Sequence, residues 1–152
     1  MRLTNYTDFS LRVLIYLALK SKDELSTIKE IADSYKISKN HLMKIIHELG
    51  QLGYIETIRG RNGGIRLAKH PVDINIGEVV SKTEEDFPIV DCFSEGGNYC
   101  VISPACKLKH VLYEALQEFI NVLKTYTLED LIINKDELSQ LFRAASNTEV
   151  KG

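Results

Sequence analysis

Tryptophan is absent from this chain of 152 residues, methionine occurs twice and proline three times. Cysteine is nearly as scarce. All three, Cys92, Cys100 and Cys106, lie in "DCFSEGGNYCVISPACKLKH", residues 91 to 110. With none elsewhere, the disulfide framework of a small secreted domain is excluded, and an odd count would leave one thiol over. Long apolar runs are missing too. The most apolar segment, Leu11 to Leu19, contains Arg12 and is far too short to span a bilayer. No small-residue cleavage site follows it, so it does not read as a leader. A cytoplasmic protein without a membrane segment is expected, with thiols kept reduced for metal or redox chemistry. No nucleophile–base pair, phosphate loop or paired-carboxylate site stands out, so an enzyme is not expected.

What is present suits a packed domain. Hydrophobic residues make up 44% of the chain, enough for a core. The net charge of −2 hides an asymmetry: residues 1 to 70 hold 12 Lys and Arg against 7 Asp and Glu, and residues 71 to 152 hold 7 against 14. A basic first half points to a polyanionic partner.

The apolar spacing predicts a buried first helix over Asn5 to Lys20. Thr27 and Glu30 have capping-box spacing ahead of Ile28, Ile31 and Ala32, which marks a short second helix. Ser38 is a good N-cap for a third, whose stripe is Leu42, Ile45, Ile46 and Leu49. The period then changes to two in "YIETIRGRNGGIRLAK", a β-hairpin with an arginine-bearing tip. "INIGEVVSK" reads as a short helix. Ser103 and Pro104 form an N-cap and N1 pair for a long helix carrying Leu108, Val111, Leu112, Ala115, Leu116, Phe119, Ile120 and Leu123. A short final helix starts at Thr127, and residues after about Asn134 read as a fraying tail.

Three helices followed by a hairpin is the order of a winged helix-turn-helix. The fold class expected is therefore mainly α with a small β-hairpin wing, extended by a long dimerisation helix. Residues 1–80 form the DNA-binding domain, 81–106 a cysteine-bearing loop, 104–133 the dimerisation and final short helices, and 134–152 a flexible tail. Away from its apolar stripe the third helix carries Asn40, Lys44, His47 and Gln51, with Ser38, Lys39 and His41 at its N-terminal end. Asn reads adenine edges and Lys reaches guanine or phosphate in a major groove. Arg59 and Arg61, with Asn62 and Gly63, form the tip that tracks a phosphate or probes the minor groove. A homodimer on a pseudo-palindrome of double-stranded operator DNA is the expected assembly.

The thiol spacing is C-x7-C-x5-C. It lacks the close cysteine pairs usual for zinc. Iron–sulfur clusters favour thiolates and accept wide loops, and Gly96 and Gly97 loosen this one. Zinc and a bare redox switch stay open on spacing alone.

"MRLTNYTDFSLRVLIYLAL", "IRGRNGGIRLAK", "IGEVV", the three cysteines and "YTLEDL" together resemble the iron–sulfur winged-helix regulators of the IscR and NsrR type, from Met1 to about Leu131. The resemblance implies a homodimeric repressor whose cluster is held by Cys92, Cys100 and Cys106, and DNA contact by Ser38 to Lys44 and by Arg59 to Gly64. The IscR-like branch takes a histidine three residues after the last cysteine. Here that residue is Lys109, and His110 is one step on, about 100° around a helix. The nitric-oxide-sensing NsrR branch uses an aspartate early in the first helix, supplied by the other subunit, and Asp8 stands there. The resemblance thus implies Asp8 as fourth ligand, a [4Fe-4S] cluster in preference to [2Fe-2S], nitric oxide as the signal, and release of DNA when the cluster is nitrosylated. A cluster-supply regulator of the IscR type and a cluster-free thiol- or metabolite-responsive repressor are the alternatives.

Overall fold

The computed structural model describes residues 1–85, 87, 89–96 and 100–148. Gly97, expected to loosen the cysteine loop, lies outside them. The described elements are α1 (Asn5–Ala18), α2 (Ile28–Tyr35), α3 (Lys39–Gln51), β1 (Ile55–Ile58), β2 (Gly64–Leu67), α4 (Ile76–Thr83), α5 (Lys107–Lys124) and α6 (Lys135–Thr148). The chain is mainly helical with one antiparallel hairpin, the winged-helix order expected.

Helix α1 is the central strut. Val13, Leu14 and Leu17 are buried against Ile31, Leu42, Ile45 and Leu49 from α2 and α3. Its N-cap is Thr4, whose side chain accepts the Thr7 N–H. The capping box of α2 forms in full between Thr27 and Glu30. Helix α2 ends at Lys36 in the left-handed conformation, φ 57°, which turns the chain sharply into α3. In the wing, Ile55 pairs with Leu67 and Ile58 with Gly64. Ser26 adds a bridge to Ile65 that ties the wing to the segment before α2.

Helix α5 starts later than Ser103 and Pro104 predict. Residues Ser103–Ala105 form a separate 3-10 turn, and Cys106 is extended, so α5 begins at Lys107. The apolar stripe of α5 is also split. Leu116 and Ile120 are buried, with Phe119 and Leu123 half-buried, whereas Leu108 and Val111 are exposed. The inner half packs on α4 within the same chain.

That α4–α5 seam depends on Gly77. A Cβ there would stand 2.6 Å from the Lys124 backbone nitrogen and 2.8 Å from its Cα. Around the contact, Asn75 Nδ2 donates to the Lys124 carbonyl at 2.7 Å and the Ile76 N–H donates to the Tyr126 carbonyl at 3.0 Å. Gly77→Ala must push α5 away, an overpacking cost of about 2–3 kcal/mol. Gly50 is the contrast: its Cβ would meet only the Ile55 carbonyl oxygen, at 3.9 Å. Urea unfolding should show Gly77→Ala strongly destabilised and Gly50→Ala unchanged or up to about 1 kcal/mol more stable. Equal midpoints would remove the close-approach explanation.

Two further expectations are corrected. The element after Thr127 is only a three-residue 3-10 turn, Asp130–Ile132, because the Thr127 N–H and hydroxyl both donate to the Asp130 carboxylate and close a tight loop. Residues 135 to 148 form helix α6 instead of a tail. Phe142 gives that segment an anchor, packing against Tyr16 and Tyr35.

Candidate nucleic-acid interface and thiol loop

Helix α3 divides into a buried and an exposed face as its spacing predicts. Leu42, Ile45, Ile46 and Leu49 face the core, while Lys39, Asn40, His41, Lys44, His47 and Gln51 are exposed. Ser38 is exposed as well, but its side chain makes no capping hydrogen bond, contrary to its reading as a good N-cap. Its backbone carbonyl still accepts the first helical bond, from the Leu42 N–H.

At the wing, Arg59, Arg61 and Asn62 are exposed on the tip. Gly60, at φ 115°, needs the freedom of glycine. Gly63 contributes through shape: its N–H donates to the Gly60 carbonyl, and a Cβ would lie 2.9 Å from that same oxygen. Arg66, by contrast, turns back to Glu56 at 2.5 Å and Asp23 at 4.0 Å. The two tip arginines make no ion pair among those found in the described residues.

The three thiols are free. Cys92 and Cys106 are half-buried and Cys100 is exposed. Cys106 is the N-cap of α5, and its sulfur accepts the Lys109 backbone N–H at 3.4 Å. The sulfur thus sits at the N-terminal end of an 18-residue helix, where it faces the backbone N–H groups of the first turn. Among the described residues of one chain, no three His, Cys, Asp or Glu side chains converge on a metal position. As a donor set, three soft thiolates on a loop and a helix cap fit an iron–sulfur group. His110 is exposed on α5, one step past Lys109.

Asp8 sits in the first turn of α1 and is held by Arg12 one turn on. Arg12 Nη2 lies 2.9 Å from Asp8 Oδ2, and Arg12 Nε donates to Oδ1 at 3.2 Å. Both side chains are 43% exposed, so this i,i+4 pair adds only about 0.3–0.5 kcal/mol. The Arg12 guanidinium lies 5.7 Å from the Phe9 ring centroid and 5.8 Å from that of Tyr35. Tyr35 donates its hydroxyl proton to the Arg12 carbonyl at 2.9 Å, and burial pushes its phenol up to about 12.

One contributor escapes the sequence reading. Glu84, buried at the end of α4, accepts the Thr4 N–H at 2.9 Å and the Thr4 hydroxyl at 3.0 Å, and also the Thr7 hydroxyl. A capping box normally places a glutamate at N3 to accept the N-cap N–H. Here N3 is Thr7, and Glu84 fills that role from 80 residues away. The signal was half visible: Thr4-x-x-Thr7 is a box with its acid missing. Glu84 thus ties the start of α1, beside Asp8, to the start of the cysteine-bearing stretch.

The first turn of α1 also touches α3. Phe9 and His41 rings lie 6.3 Å apart. Tyr6 is drawn to Glu48 of α3, and burial, then that hydrogen bond, raise its phenol well above its ordinary value. A cleft of about 600 Å³ opens between these elements, lined by Tyr6, Phe9, His41, Lys44, Glu48 and Glu84. Among the described residues, no helix is long and apolar enough to cross a membrane.

Comparison with known proteins agrees with this architecture. Residues 3–134 match the family model Rrf2, described as an iron-dependent transcriptional regulator. The HTH-type transcriptional regulator NsrR of Bacillus subtilis is 64% identical over 143 residues, 94% of this chain and 98% of that protein. Its namesake in Bacillus licheniformis is 63% identical over 141 residues, 93% and 99% of the two chains. Among solved structures, CymR, the global cysteine regulator of B. subtilis, superposes with TM-score 0.68 at 23% identity, covering 86% of this chain and 95% of that one. T. potens IscR gives TM-score 0.69 at 21% identity over 91% and 90%. A match across nearly the whole chain, on a winged-helix body with an exposed polar face on α3, leads to one conclusion: the chain belongs to the Rrf2 family, which consists of transcriptional regulators and not of enzymes.

Proposed function

We propose that this regulator is a nitric-oxide-responsive repressor that binds pseudo-palindromic operator DNA in the cytoplasm as a homodimer. Cys92, Cys100 and Cys106 would hold an iron–sulfur cluster, [4Fe-4S] in preference to [2Fe-2S], with Asp8 of the other subunit as fourth ligand. When bound, such a cluster supplies iron with a strong affinity for nitric oxide. The observation that carries the reading is the position of Asp8, half-exposed in the first turn of the helix that supports the recognition helix.

The chain's own residues do the rest. Asp8 offers a hard oxygen in an otherwise soft donor set, the weakest bond of the four. Arg12 stands ready to take the carboxylate back at 2.9 Å, so release leaves no unpaired charge. Phe9 against His41, and Tyr6 toward Glu48, pass any shift of the first turn of α1 to α3. Glu84 keeps the cap of α1 and the end of α4 moving together. A coupling of about 3 kcal/mol suffices for a change of roughly 100-fold in operator affinity.

Dimer formation is supported by the outer half of the α5 stripe. Leu108, Val111 and Ala115 of that stripe lie on an exposed face, with exposed Val122 further along the helix, adjacent to the side that α4 covers. A second α5 buries such a stripe, and a two-fold dimer sets two recognition helices about 34 Å apart on successive turns of DNA.

Ligand identity separates this reading from a histidine-ligated one. Asp8→Ala should change the absorbance or lability of the cluster in anaerobically purified protein, and His110→Ala should leave both as they are. The reverse result would move the protein to the histidine-ligated branch.

A further inference from the structure

Helix α6 has no fully buried residue, yet it is docked. Its hold on the body is concentrated in Phe142. The Phe142 ring meets Tyr35 edge to face, centroids 5.2 Å apart and planes at 89°, and meets Tyr16 likewise at 5.3 Å and 80°. Tyr16 and Tyr35 touch each other at 6.3 Å, so the three rings close a triangle among α1, α2 and α6. Edge-to-face contacts of this kind are directional, because a ring edge is positive and a ring face negative.

Tyr35 is the ring with the most to gain from such a hold. It is the last residue of α2, and the chain turns away immediately after it through left-handed Lys36. No following helical turn steadies it. Its ring supports the Arg12 guanidinium at 5.8 Å, and its hydroxyl donates to the Arg12 carbonyl at 2.9 Å. Arg12 in turn grips both oxygens of Asp8. A continuous set of contacts therefore runs from α6 through Phe142, Tyr35 and Arg12 to the carboxylate.

We propose that Phe142 is a positioning residue: by clamping Tyr35 it fixes Arg12, and with Arg12 the direction in which Asp8 presents its carboxylate. The C-terminal helix then belongs to the sensing unit, and its docking tunes how firmly Asp8 is held. This inference rests on the reading of Asp8 as a ligand.

The test is the rate at which cluster absorbance is lost when full-length anaerobic protein meets a fixed nitric oxide dose. Phe142→Ala should change that rate about fivefold, a modest coupling between linked sites. Phe142→Tyr, which keeps the ring, should restore the wild-type rate. Because α6 buries nothing completely, the winged-helix core should stay folded in both, as circular dichroism would show. The deciding comparison is the double variant. If Phe142 acts through Asp8, adding Phe142→Ala to Asp8→Ala changes nothing further, since residues in one chain of contacts do not add. A Phe142→Ala rate equal to wild type overturns the inference, and so does an equal effect in the Asp8→Ala background. An Asp8→Ala protein that itself behaves as wild type overturns the ligand reading, and this inference with it.

Discussion

Alanine at any one of Cys92, Cys100 or Cys106 is expected to yield a folded but colourless protein when purified without oxygen, with operator affinity lower by on the order of 100-fold. The fold should survive because none of the three cysteines is buried in the core: two are half-buried and one is exposed. Cys106 has a second role as the cap of α5, so Cys106→Ala should also lose some helix stability, about 1 kcal/mol for an N-cap. Cys106→Ser separates the two effects. Serine is itself a good cap and restores α5, yet its hydroxyl is a poor donor to iron, so colour should stay lost. Iron and acid-labile sulfide assays read the result directly. A variant that keeps colour and sulfide contradicts the assignment of that cysteine.

The second large effect lies in the wing. Arg59→Ala with Arg61→Ala should weaken operator binding about 100-fold near physiological salt and flatten its salt dependence. Each phosphate contact contributes about 0.9 to the slope of log affinity against log salt. Two arginines in each of two chains account for up to about 3.6 of that slope. Arg66→Ala is the control in the same hairpin, because Arg66 already faces Glu56 and Asp23. It should change stability a little and the salt slope hardly at all. If the double variant kept the wild-type slope, the tip would be a solubility feature and DNA contact would belong to α3 alone.

Much of this was legible in the sequence because periodicity reports burial. The stripe of Leu42, Ile45, Ile46 and Leu49 turned inward as its spacing requires, and the Thr27–Glu30 box closed as its residue types require. Local rules failed where two local signals competed or a distant residue decided the outcome. Ser103 and Pro104 look like the start of α5, but Cys106 took over the cap and delayed the helix. The acid of the α1 capping box arrives from Glu84, far along the chain, and no local pattern carries that. Residues 135 to 148 look weak because their apolar content is sparse. One aromatic side chain finding two others was enough to hold them. For the candidate site, the cysteines were plain from composition. The Arg12 grip on Asp8 was half visible as i,i+4 spacing, and the link from Arg12 to α2 through Tyr35 required the fold.

Nitric oxide at the cysteine-held cluster is expected to weaken DNA binding, with Asp8 as the weak ligand. This response is tested most directly on one anaerobic sample of the full-length protein, with iron and sulfide counted, titrated stepwise with nitric oxide. Absorbance and operator affinity would be read at every step. The expected result is a coloured protein with tight operator binding, and an affinity that falls about 100-fold in step with the change in absorbance. A protein that changes colour while its operator affinity stays constant would contradict it.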